Sequence, residues 1–292
     1  MRYQLENGTL RVEIDSFGAE VRSVVRRSDG REYMWQADPA YWGRTSPVLF
    51  PFVGAPRNKQ YRYEGKMYQM GQHGFARDME FELERQSADE IWFVLESNEE
   101  TYKKYPFGFR LSIGYHLTGN EVEVMWRVEN TEDKPMYFSI GAHPAFRCPI
   151  DGEESKTGYG LFFGGLDDEL HHHGNTKDGL AVMKDQTLAL KNGTVKFSED
   201  FFDECTYMVE GKQTGEVSLL DAKGNPYVTV AFDAPLFAIW SPEGKNAPFV
   251  CIEPWYGRCD AVDFEGSIAE REYENGLAGG GTFASSYQMR FN

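Results

Sequence analysis

The chain contains no run of about eighteen apolar residues, so no segment is suited to cross a bilayer as a helix. The opening stretch Met1 to Thr9 also lacks the apolar core of a signal peptide. Cysteine is scarce. Cys148, Cys205, Cys251 and Cys259 are too few and too widely spaced to staple 292 residues. They read as buried apolar filler, and a reducing cytoplasm is the expected compartment. Basic charge is short too: 30 Lys and Arg against 46 Asp and Glu leave a net charge of −16. Such a surface repels phosphate backbones and anionic membranes, so neither nucleic acid nor membrane is an expected partner.

Several chemical signatures are missing. There is no Gly-x-Ser-x-Gly elbow and no activating motif around a cysteine, so no nucleophile stands out. Gly279, Gly280 and Gly281 read as a turn, because no strand–loop–helix unit makes them a phosphate cradle. The run His171-His172-His173 follows Asp167-Asp168-Glu169 and reads as a solvated loop. Adjacent residues on an extended chain point apart, so no metal is expected there. Helical signals are few. Asn98 to Tyr105 fits a short helix stopped by Pro106, and Ser267 to Asn275 a second, with capping-box spacing at Ser267 and Glu270.

What the sequence does have is aromatic residues (15%), 30 glycines, and segments that alternate with period two. Thr9 to Ile14, Met79 to Glu84, Glu90 to Glu96, Phe109 to Leu117 and Glu121 to Val128 read as strands. So do Pro135 to Ile140, Gly215 to Leu220, Tyr227 to Phe232, Leu236 to Trp240, Pro248 to Ile252 and Ala284 to Phe291. Tyr61 to Tyr68 reads as a hairpin turning at Glu64-Gly65. Many short strands without alternating helices predict an all-β fold, a large antiparallel β-sandwich with few short helices, and disfavour a doubly wound parallel sheet. No linker or repeat divides the chain, so residues 1–292 are expected to form one domain.

Two ionisable residues stand in matching settings. His143 and Glu253 each end an apolar, strand-like run and each precede a proline. The residue before proline is held extended, so each side chain is expected near a strand end, with the chain turning away after it. Apolar surroundings would raise the carboxyl pKa and lower that of the imidazole, bringing both toward neutrality as an acid/base pair requires. A third cluster, Gly71-Gln72-His73-Gly74-Phe75-Ala76-Arg77, places His73 and Arg77 among small residues that admit a ligand. Arg44 lies upstream in an aromatic, proline-rich stretch. Trp42, Trp240 and Trp255 could offer flat faces to sugar C–H groups, and Asp233 could bind a sugar hydroxyl.

His73-Gly74-Phe75-Ala76-Arg77, Gly141-Ala142-His143-Pro144-Ala145-Phe146 and Ile252-Glu253-Pro254-Trp255 resemble motifs of the aldose 1-epimerase (galactose mutarotase-like) family. Ser46 to Gly54 resembles its LacX-type branch, and the similarity extends over nearly the whole chain. The resemblance implies a supersandwich with a sugar cleft, and cofactor-free interconversion of aldose anomers by a monomer or homodimer. It places the general base at Glu253, a protonated general acid at His143, and sugar-binding roles at His73 and Arg77. No metal is implied. Ring opening needs a proton taken from the C1 hydroxyl and one given to O5, which such a pair supplies. Related hexose-6-phosphate epimerases use arginines to hold phosphate; Arg77 matches one, whereas Arg44 sits slightly out of register with the other. The acidic net charge favours a free aldohexose over its 6-phosphate. A non-catalytic carbohydrate-binding sandwich is the reading from a different class.

Overall fold

The strand periodicity is realised in two large antiparallel sheets. The computed structural model describes all residues except 151, 154, 204 and 205, so Cys205 lies outside the described residues. One sheet has nine strands, in the order Thr194–Lys196, Gly160–Phe163, Glu216–Leu220, Pro226–Phe232, Thr282–Phe291, Glu121–Asn130, Phe109–Thr118, Glu90–Glu96 and Glu82–Gln86. The other has eight: Ala181–Ala189, Glu169–Asn175, Tyr207–Val209, Leu236–Trp240, Phe249–Tyr256, Ile140–Ala142 and Val48–Leu49, with Ala145–Arg147 also paired to Phe249–Tyr256. A three-stranded sheet, Arg2–Glu6, Leu10–Asp15 and Glu20–Arg26, carries the N-terminal segment.

Alternation decides which side chains meet between the two large sheets. In Glu121–Asn130, Val122, Val124, Trp126 and Val128 point inward while the intervening residues do not. They share one apolar core with Phe237, Ile239, Val250 and Ile252 of the eight-stranded sheet. Phe237 packs its ring against Phe232 and Phe163 of the nine-stranded sheet (centroids 5.3 and 6.3 Å). This is face-to-face sandwich packing, with the second face of the eight-stranded sheet left for other work.

The Glu99–Lys104 helix forms as expected. The Asn98 side chain accepts from Glu100 and Thr101 N–H groups, and Thr101 Oγ1 accepts from Asn98 N–H at 2.8 Å. The Gln60–Tyr63/Lys66–Gln69 hairpin turns at Glu64 and Gly65, both at positive φ, as a twisted two-residue turn demands. Three expectations are corrected. Ser267 does bond Glu270, but only one turn, Ile268–Glu270, is helical. Arg271 is drawn inward to Asp260 and Glu274 (2.7 and 2.6 Å), and Asn275–Leu277 joins a two-stranded sheet. Regular strand starts at Glu82 and not Met79, because Met79 and Phe81 bond to Gly18 and Ser16. The histidine run lies in the strand Glu169–Asn175 and not in a loop; it is flanked by Ala181–Ala189 on one edge and Tyr207–Val209 on the other, and His172 is buried with its ring against Tyr207. Among the described residues no helix is long and apolar enough to cross a membrane.

Candidate active site

The strand Phe249–Tyr256 is buried on both faces, and its period of two sorts its side chains. Val250 and Ile252 enter the core between the sheets. Phe249, Cys251, Glu253 and Trp255 therefore occupy the opposite face. The neighbouring strand Leu236–Trp240 sets Ala238 opposite Glu253 and Trp240 opposite Cys251. The small Ala238 side chain leaves space beside the carboxyl.

On the other edge, Ile140 pairs with Tyr256 and Gly141 with Trp255; beyond a gap, Ala145 pairs with Cys251 and Phe146 with Val250. The register is the same on both sides of that gap, which places His143 opposite Glu253. The gap itself follows from sequence, since Pro144 and Pro254 have no N–H to donate to a ladder. The strand nevertheless runs on to Tyr256; it does not turn away after Glu253, because Leu236–Trp240 still pairs along its far edge. Gly141 is required here: a Cβ would lie 2.6 Å from the Trp255 ring. The Trp255 Nε1–H donates to the Ala142 carbonyl at 3.2 Å.

His143 Nε2 lies 3.4 Å from Glu253 Oε2. The imidazole stacks on Trp42 (centroids 4.7 Å, 28° between planes) and meets Trp240 edge-on at 5.3 Å. Neither Glu253 Oε2 nor His143 Nδ1 has a hydrogen-bond partner among the described residues. Burial pushes the Glu253 carboxyl well above its usual range. Burial, reinforced by the positive Arg77, pushes His143 down to about 3. Both shifts have the expected signs, each disfavouring the charged form, but His143 moves away from neutrality rather than toward it, so a protonated imidazole is not favoured there without a ligand.

His73 is held by reciprocal bonds with Gly54. Its backbone N–H donates to Gly54 O at 2.8 Å, and Gly54 N–H donates to His73 Nδ1 at 3.0 Å. Burial keeps the ring neutral, so Nδ1 is the acceptor and Nε2 carries the proton as a donor. His73 and Gly74 both have positive φ (66° and 68°), and a Cβ on Gly74 would meet Phe50 O at 2.2 Å. Strain of this kind at a non-glycine residue marks a position fixed by its surroundings.

Arg44 and Arg77 bracket Asp78. Arg44 Nη2 lies 2.7 Å from Asp78 Oδ1, and Arg77 Nε lies 3.8 Å from Oδ2. Arg77 Nη2 donates to Gln72 O at 2.8 Å, while its buried Nε makes no hydrogen bond among the described residues. Burial and the neighbouring Arg44 lower Arg77 to about 10.

These residues line one cleft of about 650 Å³, a size that suits a small-molecule ligand. Glu253, His143, His73, Arg77, Arg44 and Trp255 all border it, together with Trp42 and Trp240. Asp233 does not. It follows a strand of the nine-stranded sheet and its exposed carboxylate pairs with Lys212, so the proposed sugar contact is withdrawn. Sequence reasoning missed Lys59, Lys177 and Lys245 at the cleft wall, and Asn175 to Gly179 from the loop after the histidine strand. Cys251, read as buried apolar filler, is fully buried among Trp35, Ala145 and Phe249, on the strand face that carries Glu253.

Fold and cleft together define an antiparallel β-sandwich protein with a buried carboxyl–imidazole pair in its cleft. The chain belongs to the aldose 1-epimerase family, whose model, described as "Aldose 1-epimerase", matches residues 1–263. It is 32% identical over 278 residues to Protein LacX, chromosomal, of Lactococcus lactis subsp. lactis, covering 92% of each chain, which supports the LacX-type branch. Among solved structures, a galactose mutarotase related enzyme from Lactobacillus acidophilus superposes with a TM-score of 0.92 at 36% identity, covering 100% of this chain and 97% of that one. A galactose mutarotase-like protein from Lactobacillus casei ATCC 334 gives a TM-score of 0.94 at 29% identity, with both chains fully covered.

Proposed function

We propose that the protein is an isomerase that interconverts the α and β anomers of an aldohexose by acid/base ring opening. The observation that supports this most is the facing pair His143–Glu253, 3.4 Å apart in the cleft. In a pyranose, O1 and O5 are both bonded to C1, so two groups this close reach both oxygens.

Sugar hydroxyls bring Glu253 Oε2 the hydrogen bonds it lacks and so favour the tautomer with a carboxylate and an imidazolium. Glu253 then takes the O1 proton while His143 gives its proton to O5. The C1–O5 bond breaks and C1=O1 forms. The pair is left as a carboxylic acid and a neutral imidazole. After rotation about C1–C2, O5 attacks the other face of C1. His143 recovers the O5 proton and Glu253 returns its proton to O1. Each transfer contributes roughly 10² to 10⁴ in rate. His73 Nε2–H donates to a ring or hydroxyl oxygen, and the tryptophans border the sugar faces.

The test is α/β exchange of glucose and galactose, followed by polarimetry or NMR exchange with wild-type protein and Glu253→Gln. Full activity in the variant overturns the reading, as does saturable sugar binding without any rate enhancement. One observation favours a second reading, an aldose carrying an anionic group: Arg44, Lys59, Arg77, Lys177 and Lys245 all border the cleft of a chain whose net charge is −16. Running glucose 6-phosphate in the same assay decides between them.

A further inference from the structure

Cys251 stands two residues before Glu253 on the same strand face, beyond anything ring opening requires. One ligand atom from each of His143, Cys251 and Glu253 lies within 4.8 Å of the others, and among the described residues this is the one such grouping of three. All three side chains are more than nine-tenths buried (6%, 0% and 1% exposed). The histidine run His171–His173, the more obvious candidate in sequence, forms no such group among the described residues.

We propose that His143, Cys251 and Glu253 form a binding site for a single thiophilic divalent cation, best matched by zinc, whose occupation disables the acid/base pair. The donor set is one imidazole, one thiolate and one carboxylate, with the cleft open for a fourth ligand. That is the composition of an open zinc site, in which three protein ligands leave one position for water. A thiolate and a carboxylate also neutralise a dication, so the filled site would bury no net charge, a condition that buried ions must meet. The unpartnered Glu253 Oε2 supplies an independent reason, since an acceptor buried without a donor is a group waiting for an electrophile. Soft sulfur selects zinc, cobalt or cadmium over magnesium and calcium. The ion would enter through the cleft, which His143 and Glu253 border.

Binding has a defined proton balance. Ligation needs Cys251 as thiolate, so its thiol proton leaves on binding. At least one proton therefore passes to the buffer per zinc bound near neutral pH. Affinity therefore climbs with pH. Lys156, close to Cys251, favours the thiolate; Arg77 and Arg44, facing His143, repel the cation without blocking it.

The binding itself does not depend on the proposed epimerase activity; only its inhibitory effect rests on that reading. The experiment uses metal-free full-length protein titrated with zinc by calorimetry, in two buffers of different ionisation enthalpy. Cobalt is added in parallel, and anomer exchange is assayed with and without zinc. Expected are a single zinc equivalent, release of at least one proton, a near-ultraviolet thiolate-to-cobalt band, and loss of sugar turnover as zinc fills the site. Cys251→Ser and Cys251→Ala should each abolish the band and weaken zinc by at least about tenfold, while turnover without zinc stays near the wild-type rate. Thermal melts check that they fold; if neither does, the wild-type cobalt spectrum and proton count decide.

Absence of stoichiometric zinc binding, a cobalt complex without the thiolate band, or unchanged affinity in both folded variants overturns the site. Zinc bound through Cys251 by a protein that does not exchange anomers upholds the site and overturns the activity.

Discussion

His143 and Glu253 face each other in a single antiparallel register that is kept across a gap in the ladder, from Ile140–Tyr256 to Phe146–Val250. Because they are cross-strand neighbours, their side chains leave the sheet on the same face and meet without any bend in the backbone. The same relationship explains how two groups distant in sequence meet in one cleft.

Glu253→Gln keeps the shape of the buried group and removes its ability to take a proton. Anomer exchange should fall by at least about 10², measured by NMR exchange at equal protein concentration. The thermal midpoint should hold or rise, because an amide is cheaper to bury than an unpartnered carboxyl. A large fall in midpoint together with the rate would mean that the residue is structural.

The pH profile should be unusually broad. Burial holds His143 near 3, so the acid limb of kcat/KM should lie well below the value of about 6.5 typical of an exposed imidazole. The stability effect has a fixed sign. His143 is depressed on folding, so below about 6.5 the unfolded chain takes up a proton that the folded chain does not, and stability falls progressively from about pH 6.5 until the folded group also titrates at about 3. His143→Gln should flatten the acid side of a urea-midpoint-versus-pH curve; an unchanged slope would contradict the buried neutral imidazole.

Gly74 has φ +68°, and a Cβ there would sit 2.2 Å from Phe50 O and 2.4 Å from Phe50 C, both backbone atoms. Gly74→Ala should cost about 3 kcal/mol by urea denaturation and displace the adjacent His73. Wild-type stability in that variant would show that the loop yields easily.

Arg44 and Arg77 offer the sharpest probe of substrate charge. If the aldose is anionic, Arg44→Gln should raise KM for glucose 6-phosphate by roughly tenfold, the loss of one charge-assisted bond, and leave the free sugar little changed. Equal effects on both sugars would assign the arginines to the architecture around Asp78.

Asp233→Ala should change neither turnover nor the thermal midpoint measurably, because exposed ion pairs such as Asp233–Lys212 contribute little. Lost activity would return that residue to the site.

Much of the site could be read from sequence because proline writes its constraint locally. An apolar run ending in His-Pro or Glu-Pro specifies an extended, buried, polar strand position. What sequence could not show is the register joining them, since pairing across more than a hundred residues is set by the whole sheet. Asp233 misled for a related reason: it follows a strand, but one in the nine-stranded sheet. Ser267–Glu270 misled in the opposite sense. The local capping signal is real, yet the buried Arg271–Asp260 and Arg271–Glu274 pairs outweigh helix propagation. The lysines of the cleft wall came from an exposed helical turn (Lys59) and exposed turns (Lys177 and Lys245), where no periodicity distinguishes them from ordinary surface charge.

Pro144 and Pro254 have one further effect. Two strands that could otherwise zip together carry facing interruptions that no rearrangement of hydrogen bonds can close. The opening is written into ring nitrogens and persists whether or not anything occupies it. Once Phe249–Tyr256 docks beside Ile140–Ala142, the acid and base stand opposite each other, and His73, Arg77 and Trp42 complete the cleft from other segments.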